Sequence, residues 1–289
     1  MPAAEIDIDA SLVARLVRAQ HPDLDGPLWL VANGWDNVVY RLGADLCVRL
    51  PRRAVAVDLI RHEQRWLPGL AARAGAVVPA PVRAGTPGEG YPWPWSICPW
   101  FEGRAAADVP AAERGPAAAD LAEFLAGLHA PAPAEAPHNP WRGVPLAARD
   151  AAVRERLAGT PDLLALWVRL TATPAWAGPP YWIHGDLHPA NVVLAPSGPA
   201  RLAAVIDFGD LTAGDPATDL AAAWLAFDAE GRAVFRERYD ALTGIDPDTW
   251  GRARGWALNL ATAIGASSGD SPRMAAISVH GVAQVRLDP

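Results

Sequence analysis

The amino-acid sequence predicts an α+β fold, with an N-terminal lobe built on a five-stranded antiparallel sheet and a mainly helical C-terminal lobe. Short segments rich in Val, Leu, Trp and Tyr, separated by turn residues, occupy the first 101 residues. Apolar residues at helical spacing dominate the rest of the chain. With 289 residues, 51% of them hydrophobic, the chain is long enough to bury a core in each lobe. We therefore expect domains at residues 1–101 and 102–289.

Two helices and five strands are predicted in the N-terminal lobe. The first helix, over residues 11–20, has an apolar face and either Asp9 or Ser11 as its N-cap. A second amphipathic helix is predicted over residues 58–70, ending at Pro68-Gly69, because this pair breaks helices. The predicted strands cover residues 28–32, 37–42, 46–50, 77–82 and 95–101.

The C-terminal lobe is predicted to be mostly helical. Leu121, Phe124, Leu125 and Leu128 form an apolar stripe that indicates a core-facing helix over residues 117–130. Two strands, 192–194 and 202–206, are predicted to form a hairpin that brings its flanking residues to the same end. Further helices are predicted over residues 146–170, with a break near 159–161, and over 219–227, 235–242 and 250–265.

Composition argues against several kinds of partner. The net charge is −7 and the only basic cluster is Arg49, Arg52 and Arg53, so nucleic acid is not expected to bind. The longest apolar run is broken by Asp219 and Asp228, which excludes a predicted membrane span. The first nine residues are acidic, unlike a signal peptide, and we expect a cytoplasmic protein. The two cysteines lack metal-ligand spacing and are expected to be buried free thiols.

The strongest functional signal is the spacing of three oxygen-bearing side chains in the second lobe. Asp186 and Asn191 stand five residues apart in a His-x-Asp-x-x-x-x-Asn pattern, and Asp207 follows sixteen residues later. Phosphoryl transfer needs groups that neutralise phosphate charge and orient the acceptor hydroxyl. Asn191 and Asp207 are therefore predicted to bind Mg²⁺, and Asp186 to accept the hydroxyl proton. His188 is predicted to supply positive charge or a hydrogen bond to the phosphoryl group, and His184 to brace the loop.

Three segments resemble the signature of the aminoglycoside phosphotransferase family. They are His184-Gly185-Asp186-Leu187-His188-Pro189-Ala190-Asn191, Ile206-Asp207-Phe208-Gly209-Asp210 and Gly214-Asp215-Pro216-Ala217-Thr218-Asp219-Leu220-Ala221. The resemblance implies a protein-kinase-like bilobal fold, with ATP or GTP as the phosphoryl donor and Mg²⁺ as the metal. It assigns Asp186 as the catalytic base, Asn191 and Asp207 as metal ligands, and Asp215 and Asp219 as anchors of the following helix.

The same resemblance places nucleotide-binding residues in the first lobe. Asn33, Gly34 and Asn37 occupy the position of the nucleotide-covering loop, where Asn-Gly predicts a tight turn whose N–H groups face phosphate oxygens. Arg49 stands where the family has a strand lysine, in a chain that contains no lysine. An arginine keeps the charge and contacts phosphate in bidentate fashion. We therefore expect Arg49 to bind the phosphates and to pair with Glu63 on the amphipathic helix.

The last strand of the first lobe resembles the hinge strand that holds the purine. Its backbone N–H groups are the expected donors to the base. Because Pro99 has no N–H, the candidates are Cys98, Trp100 and Phe101.

The predicted function is an ATP- or GTP-dependent O-phosphotransferase that transfers the γ-phosphate to a hydroxyl of a small molecule. The acceptor is expected to be an antibiotic of aminoglycoside, macrolide or nucleoside type. Acidic side chains in the helical lobe suit an aminoglycoside, although such charges usually form a solvated helix face; they are Asp228, Glu230, Asp240 and Asp248. Tryptophans suit a macrolide or nucleoside, although most tryptophans are core residues; they are Trp35, Trp141, Trp224 and Trp256.

Two alternatives remain at the level of sequence. Arg49 and the single glycine of the covering loop are compatible with a non-catalytic, nucleotide-binding pseudokinase, but the intact Asp186 argues against it. A metallohydrolase would use His184, Asp186, His188 and Asp207 as a metal cluster, and would leave Asn191 without a role.

Overall fold

The structure, a computed structural model, describes residues 3–75, 77–269 and 271–288. The chain divides into two compact units, Met1–Phe101 and Glu102–Pro289. The first unit contains a five-stranded sheet and the second is mainly helical, which confirms the predicted fold class. Within the described residues, no helix combines the length and the apolar character needed to cross a bilayer.

The sheet of the first unit is antiparallel throughout, in the order β1-β2-β3-β5-β4. Its strands are β1 (Leu28–Asn33), β2 (Asn37–Leu42), β3 (Leu46–Pro51), β4 (Arg83–Gly85) and β5 (Trp95–Pro99). The fourth strand was predicted over residues 77–82, and this position is wrong. Pro79 and Pro81 have no N–H to donate to a neighbouring strand, so regular pairing begins only at Arg83.

Two long helices accompany this sheet, α1 (Ala10–Gln20) and α2 (Val57–Ala74). Asp9 caps α1, since its Oδ1 accepts a hydrogen bond of 2.7 Å from the N–H of Leu12. The predicted end of α2 at Pro68 is wrong, because the helix continues for six residues beyond it. Leu67 and Leu70 are both buried, and their packing on either side of the proline offsets its cost of about 3 kcal/mol in a helix interior.

The two faces of this sheet have different roles. Alternate residues of a strand point to opposite faces. Helix α1 packs on one face, in a core that contains the following buried side chains: Leu12, Val13, Leu16, Val17, Val38, Tyr40, Leu42, Val48 and Leu50. The register Val39↔Arg49 and Arg41↔Cys47 places these four residues on the other face. The face that carries Arg49 is therefore not the one that α1 covers.

The second unit is built around buried helices. Its helices are α3 (Ala118–Leu128), α4 (Asp150–Arg156), α5 (Pro161–Thr171), α6 (Ala217–Leu220), α7 (Ala222–Ala226), α8 (Ala229–Thr243), α9 (Thr249–Ser267) and α10 (Pro272–Leu287). The predicted stripe on α3 is fully in the core, as are Trp224 and Trp256. Trp35 and Trp141 are exposed.

Short strands carry the polar signature of the second unit. They are β6 (Arg104–Ala105), β7 (Tyr181–Ile183), β8 (Val192–Leu194), β9 (Leu202–Val205) and β10 (Thr212–Gly214). The predicted hairpin is present as β8 and β9, which pair antiparallel, with β6 on the other edge of β8. The antiparallel pair of β7 and β10 was not predicted, because strands of three residues have too little periodicity to recognise.

Candidate active site

The polar loop that contains Asp186 begins directly after β7, where Gly185 makes a turn that requires glycine. Gly185 has φ of 87°, a conformation that side chains disfavour. A Cβ atom at this position would also lie 2.4 Å from the carbonyl oxygen of Asp210. The glycine therefore lets the loop pass close to the chain around Asp210.

A completely buried carboxylate, that of Asp219, holds the start of this loop. Its Oδ2 accepts a hydrogen bond of 2.6 Å from the N–H of His184, and its Oδ1 accepts one of 2.9 Å from Gly185. Behind it, Nε2 of His129 lies 3.2 Å from Oδ2, and Nδ1 of His129 lies 2.6 Å from the Tyr239 hydroxyl. Burial raises the pKa of Tyr239, so the phenol stays protonated and donates to His129. This network assigns Nε2–H as the donor to Asp219.

His184 braces the loop through both ring nitrogens, the role that the sequence predicts. Nε2 donates to the carbonyl oxygen of Ile206 at 2.9 Å, and Nδ1 accepts from the N–H of Asp186 at 3.2 Å. The ring also packs on Phe208, with a centroid distance of 4.6 Å. Because both nitrogens bind backbone groups, His184 has no lone pair left for a metal ion.

The Asp186 carboxylate is partly exposed, with 29% of the side-chain surface accessible, and it lies between two basic side chains. Nη2 of Arg142 is 3.2 Å from its Oδ1, and Nε2 of His188 is 3.4 Å from its Oδ2. Burial raises the pKa of Asp186, but the hydrogen bond and charge of His188 and the charge of Arg142 outweigh it and hold the pKa well below its usual range. Asp186 is therefore ionised at neutral pH.

Arg142 was not predicted as a site residue. It belongs to the proline-rich segment between α3 and α4, and its Nη2 also lies 3.6 Å from Oδ2 of Asp210. Burial raises the pKa of Asp210, the charge of Arg142 opposes this, and the charge of Asp186 adds to it. Nδ2 of Asn139 donates to Oδ1 of Asp210 at 2.6 Å. The only sequence signal was the presence of Asn and Arg among prolines, which is common in ordinary loops.

The position of Arg142 depends on a close backbone contact next to it. A Cβ atom on Gly143 would lie 2.9 Å from Cα of Gly214, and one on Gly214 would lie 2.4 Å from the carbonyl oxygen of Gly143. That carbonyl oxygen accepts a hydrogen bond of 3.0 Å from the N–H of Asp215. The two glycines therefore let the Arg142 loop lie directly against β10.

Asn191 and Asp207 lie at the same end of the β8–β9 hairpin. The N–H of Ile206 donates to the carbonyl oxygen of Asn191 at 2.9 Å, and Asp207 follows immediately. Nδ2 of Asn191 donates to the carbonyl oxygen of Asp186 at 2.9 Å, which fixes the amide so that its Oδ1 is the atom available to a cation. Asp207 is exposed and has φ of 65°, which aspartate tolerates better than most residues. A carboxylate and an amide oxygen fit a hard cation such as Mg²⁺.

Asp215 anchors the helices that follow the site. Its Oδ1 accepts from the N–H of Ala217 at 3.0 Å, and its Oδ2 accepts from Nε of Arg252 at 2.8 Å. Arg252 and Asp215 are both buried. Helix α6, which carries Asp219, is thus tied to α9.

In the first unit, Arg49 and Glu63 form a buried ion pair. Nη1 of Arg49 lies 2.7 Å from Oε2 of Glu63, and the side chains are 11% and 2% exposed. The pair joins β3 to α2, in the arrangement that the sequence predicts. Its role toward phosphates stays a prediction.

The loop from Asn33 to Asn37 differs from the predicted tight turn. The N–H of Gly34 donates to the carbonyl oxygen of Asn37 at 2.9 Å, and Gly34 does not have positive φ, so Asn-Gly does not form a two-residue turn. The loop is longer, and two arginine side chains form hydrogen bonds with its backbone. Arg52 donates to the carbonyl oxygen of Gly34, and Arg53 donates to that of Trp35. The N–H of Gly34 is thus engaged within the loop and does not face outward.

Three residues are predicted to donate a backbone N–H to the nucleotide base, and two of them are buried or have an N–H that is already hydrogen-bonded. The N–H of Trp100 donates to the carbonyl oxygen of Asp45 at 2.7 Å, and Cys98 is fully buried. Only Phe101 remains as a candidate. Cys47 and Cys98 are buried free thiols, as predicted, and burial raises the pKa of Cys47 to about 11.

Sequence reasoning missed a cavity of about 550 Å³ near this hinge strand. Its walls include Trp29, Val31, Arg41 and Trp100. The Arg41 guanidinium lies over the Trp100 ring at 4.9 Å, and register Trp29↔Arg41 places both side chains on the face that carries Arg49. No sequence signal pairs these residues, because they come from separate strands.

Comparison with known proteins gives a consistent assignment. The sequence model of the phosphotransferase enzyme family, abbreviated APH, matches residues 29–256. The chain is similar to the GDP complex of aminoglycoside 2'-phosphotransferase-IIIa, with TM-score 0.67 and 19% identity over 96% of this chain and 99% of that one. It is also similar to a macrolide 2'-phosphotransferase of Brachybacterium faecium, with TM-score 0.63 and 23% identity over 93% and 97%.

A third similar structure is an aminoglycoside phosphotransferase of Streptomyces rimosus, with TM-score 0.56 and 23% identity over 89% and 98% of the two chains. At such identities these likenesses establish the fold. A search of curated protein sequences gives no significant match. The family match, however, extends over most of the chain and contains every residue of the signature. The chain therefore belongs to the phosphotransferase enzyme family and is a small-molecule kinase.

Proposed function

We propose that the protein transfers the γ-phosphate of ATP or GTP to a hydroxyl of a small molecule, an antibiotic of aminoglycoside, macrolide or nucleoside type, with Mg²⁺ as cofactor. The observation that carries this proposal is the state of Asp186. Its carboxylate is ionised and partly exposed, on a loop held by the buried Asp219. A phosphotransferase needs such a group to orient the acceptor hydroxyl.

Asp186 is suited to orienting the hydroxyl and accepting its proton late in the reaction. A carboxylate with a lowered pKa is a weak base, so it does not ionise an alcohol before the phosphorus–oxygen bond forms. In phosphoryl transfer this is sufficient, because most of the rate acceleration comes from positioning and charge neutralisation. In the proposal, Asp186 accepts a hydrogen bond from the hydroxyl, and His188 and Arg142 keep the carboxylate in place.

Asn191 and Asp207 are the proposed ligands of Mg²⁺. Both present oxygen atoms at one end of the hairpin, and the bond from Nδ2 of Asn191 to Asp186 orients the amide. When bound, Mg²⁺ would neutralise charge on the nucleotide phosphates. The residues of the chain contribute the fixed geometry, since the two ligands and the base lie on one short loop and its hairpin.

The first unit supplies the proposed nucleotide contacts. Arg49, oriented by Glu63, presents its charge to the phosphates. The cavity beside Trp100 is proposed to hold the base against the rings of Trp29 and Trp100, with the Phe101 N–H as the backbone donor. One of the similar structures is a GDP complex, which supports nucleotide binding in this fold.

The proposal for the acceptor rests on the similar proteins, which act on aminoglycosides and on a macrolide. The metallohydrolase alternative is disfavoured by the geometry, because His184 uses both nitrogens for backbone groups. No observation favours the pseudokinase, since the proposed base and both proposed metal ligands are present on one loop and its hairpin.

The test is a screen in which ATP or GTP is incubated with hydroxylated antibiotics of the three types. Products are followed by mass spectrometry for the addition of one phosphate, and nucleoside diphosphate release is measured in parallel. We expect at least one acceptor to gain phosphate only when both nucleotide and Mg²⁺ are present. Phosphate release from the nucleotide without any modified acceptor across the panel would contradict the proposal.

Asp186→Asn is the decisive variant, because the amide keeps the size of the side chain but cannot accept a proton. Its turnover is expected to fall by about 10²–10⁴-fold. Asp58→Asn is the matched control, since Asp58 lies on α2 and its side chain is 76% exposed. Turnover of Asp186→Asn equal to that of the control would show that Asp186 is not the base.

A further inference from the structure

A second cavity, of about 610 Å³, lies entirely within the second unit, and we call it the rear cavity. Residues 174–178, 242–246 and 248 form part of its lining. His129, Tyr181, Tyr239 and Arg252 line its interior. The volume falls in the range of about 300–1,000 Å³ that small-molecule sites occupy.

The rear cavity is not the site of phosphoryl transfer. Tyr181, at the start of β7, lines the cavity, whereas Asp186 follows the other end of that strand, five residues and up to about 16 Å of extended chain away. Asp219 stands between the two places: His129 contacts it from the cavity side, while His184 and Gly185 donate to it from the loop. An acceptor in the cavity would thus be separated from Asp186 by the Asp219 carboxylate and by the backbone that it holds.

Aromatic rings form one part of the cavity wall. Trp176 and Tyr181 meet edge to face, with centroids 5.4 Å apart. The indole N–H of Trp176 is used by the carbonyl oxygen of Pro179 at 2.8 Å. The Arg252 guanidinium lies over the Trp176 ring, 5.6 Å from its centroid, so one face of this ring already meets a cation. The remaining ring surfaces of the wall attract apolar groups and cations.

The charges of the lining exclude an anion. Among the described residues that line the cavity, Arg252 is the one arginine, and its five N–H groups are all engaged. They donate to Asp215, to the carbonyl oxygen of Pro174, to Thr249, and twice to Asp246. An arginine with no remaining donor offers little to a phosphate or carboxylate ligand.

The charge that does remain is negative. Hydrogen bonds from Arg252 and Thr249 outweigh burial and lower the pKa of Asp246 to about 2, so Asp246 is ionised but committed to Arg252. Asp248 also lines the cavity, and no residue in the described part of the chain forms a hydrogen bond or ion pair with its carboxylate. Asp248 is the N-cap residue of α9, but its side chain makes no capping hydrogen bond. One carboxylate in a cavity that aromatic rings also line is a suitable site for an amine.

We propose that the rear cavity is a second ligand site, which binds an organic cation. The ammonium group of the ligand is placed beside Asp248, and its apolar or ring-bearing skeleton lies against Trp176 and Tyr181. Such a ligand would also contact His129, one hydrogen bond away from Asp219.

Three probes of one skeleton test the charge preference: 2-phenylethylamine, 2-phenylethanol and phenylacetate. Binding is followed through the indole N–H resonance of Trp176 in the full chain, assigned by its loss in Trp176→Phe. The amine is expected to shift this resonance in a saturable way and to bind at least about tenfold more tightly than the alcohol or the acid. Equal affinity of the three probes, or no saturable shift with the amine, would overturn the proposal.

Two variants locate the amine and separate this site from the catalytic one. Asp248→Asn is expected to weaken amine binding about fivefold, while Asp162→Asn, an exposed carboxylate on α5 outside the cavity, leaves it unchanged. Because Asp248 makes no capping bond, its variant should fold normally, which a thermal melt verifies. Asp186→Asn is expected to bind the amine as the unaltered protein does. Loss of binding in Asp186→Asn, or full binding in Asp248→Asn, would refute a separate cation site, whatever the outcome of the phosphate-transfer screen.

Discussion

Nη2 of Arg142 lies 3.2 Å from Oδ1 of Asp186, although 44 residues separate them in the chain. The same nitrogen lies 3.6 Å from Asp210, so one guanidinium group joins two carboxylates. The cation stabilises the ionised form of Asp186 and so helps to keep its pKa low. Its removal should therefore be visible in the pH dependence of the reaction.

Arg142→Met is predicted to move the acidic limb of the pH–rate profile to higher pH. The active form of Asp186 is ionised, so activity is lost as pH falls through its pKa. A raised pKa means that this loss begins at higher pH, by on the order of one unit for a partly exposed pair. The measurement is kcat/KM from pH 8 down to the lowest pH at which both variants stay folded, with Arg154→Met on α4 as control. An unchanged limb in Arg142→Met would show that Arg142 does not tune the base.

Asp219→Asn is predicted to damage both stability and turnover. An amide has one oxygen in place of two, so it cannot accept the N–H groups of both His184 and Gly185 as the carboxylate does. Leaving a buried donor without a partner costs about 1–3 kcal/mol, which denaturant unfolding would measure. Because the loop then shifts, kcat per folded molecule should also fall, by roughly 10²-fold for a displacement near 1 Å. A variant that loses stability but keeps kcat would limit Asp219 to a structural role.

The Arg49–Glu63 pair allows stability and nucleotide binding to be separated. Arg49→Met alone leaves the Glu63 carboxylate buried without this guanidinium, which is expected to cost about 3–5 kcal/mol. In the double variant Arg49→Met with Glu63→Leu, much of that stability should return, because the buried charge is gone. The KM for the nucleotide should exceed that of the unaltered protein in both the single and the double variant. Thermal melts and nucleotide titrations give the two readouts.

Recovery of a normal nucleotide KM in this double variant would mean that Arg49 is a structural residue only. Arg49→Lys provides the complementary control. It restores the type of side chain that the family uses, so activity is expected to survive.

Asp207→Asn is predicted to raise the Mg²⁺ requirement. Asparagine also tolerates the positive φ at this position, so the backbone should be unaffected while one negative ligand is lost. Changes to residues that only support metal ligands already cost 10–100-fold in affinity, so a ligand itself should cost at least about tenfold. The measurement is the Mg²⁺ concentration for half-maximal rate at saturating nucleotide. If this concentration were unchanged, Asp207 would not be a metal ligand.

The sequence predicted those parts of the site that lie close together in the chain. Asp186, Asn191 and Asp207 fall within 22 residues, and a hairpin fixes their order in space. Arg142 and His129 reach the same loop from much earlier in the chain, and their surroundings in sequence are a proline-rich loop and a helix end without special pattern. Contacts of this kind depend on tertiary packing, which no local spacing encodes.

The errors in the fold have equally local causes. The valine-rich segment over residues 77–82 predicts a strand, but Pro79 and Pro81 remove two N–H donors, and the fourth strand begins at Arg83. Pro68 did not end α2, because packing of its neighbours outweighed the preference of the proline. In both cases the prediction used the residue types of the segment correctly but misjudged their effect on the backbone.

The contact between Gly143 and Gly214 means that Asp186 can be altered without touching any charged residue. A methyl group in Gly214→Ala would collide with the carbonyl oxygen of Gly143 and push away the loop that carries Arg142. Asp186, the proposed base, would then lose a neighbouring cation through a purely steric change in an uncharged strand. A single methyl group at Gly214 would thus change the ionisation of a carboxylate. Selection at this position can adjust the pH at which the enzyme works while every polar side chain of the site is preserved.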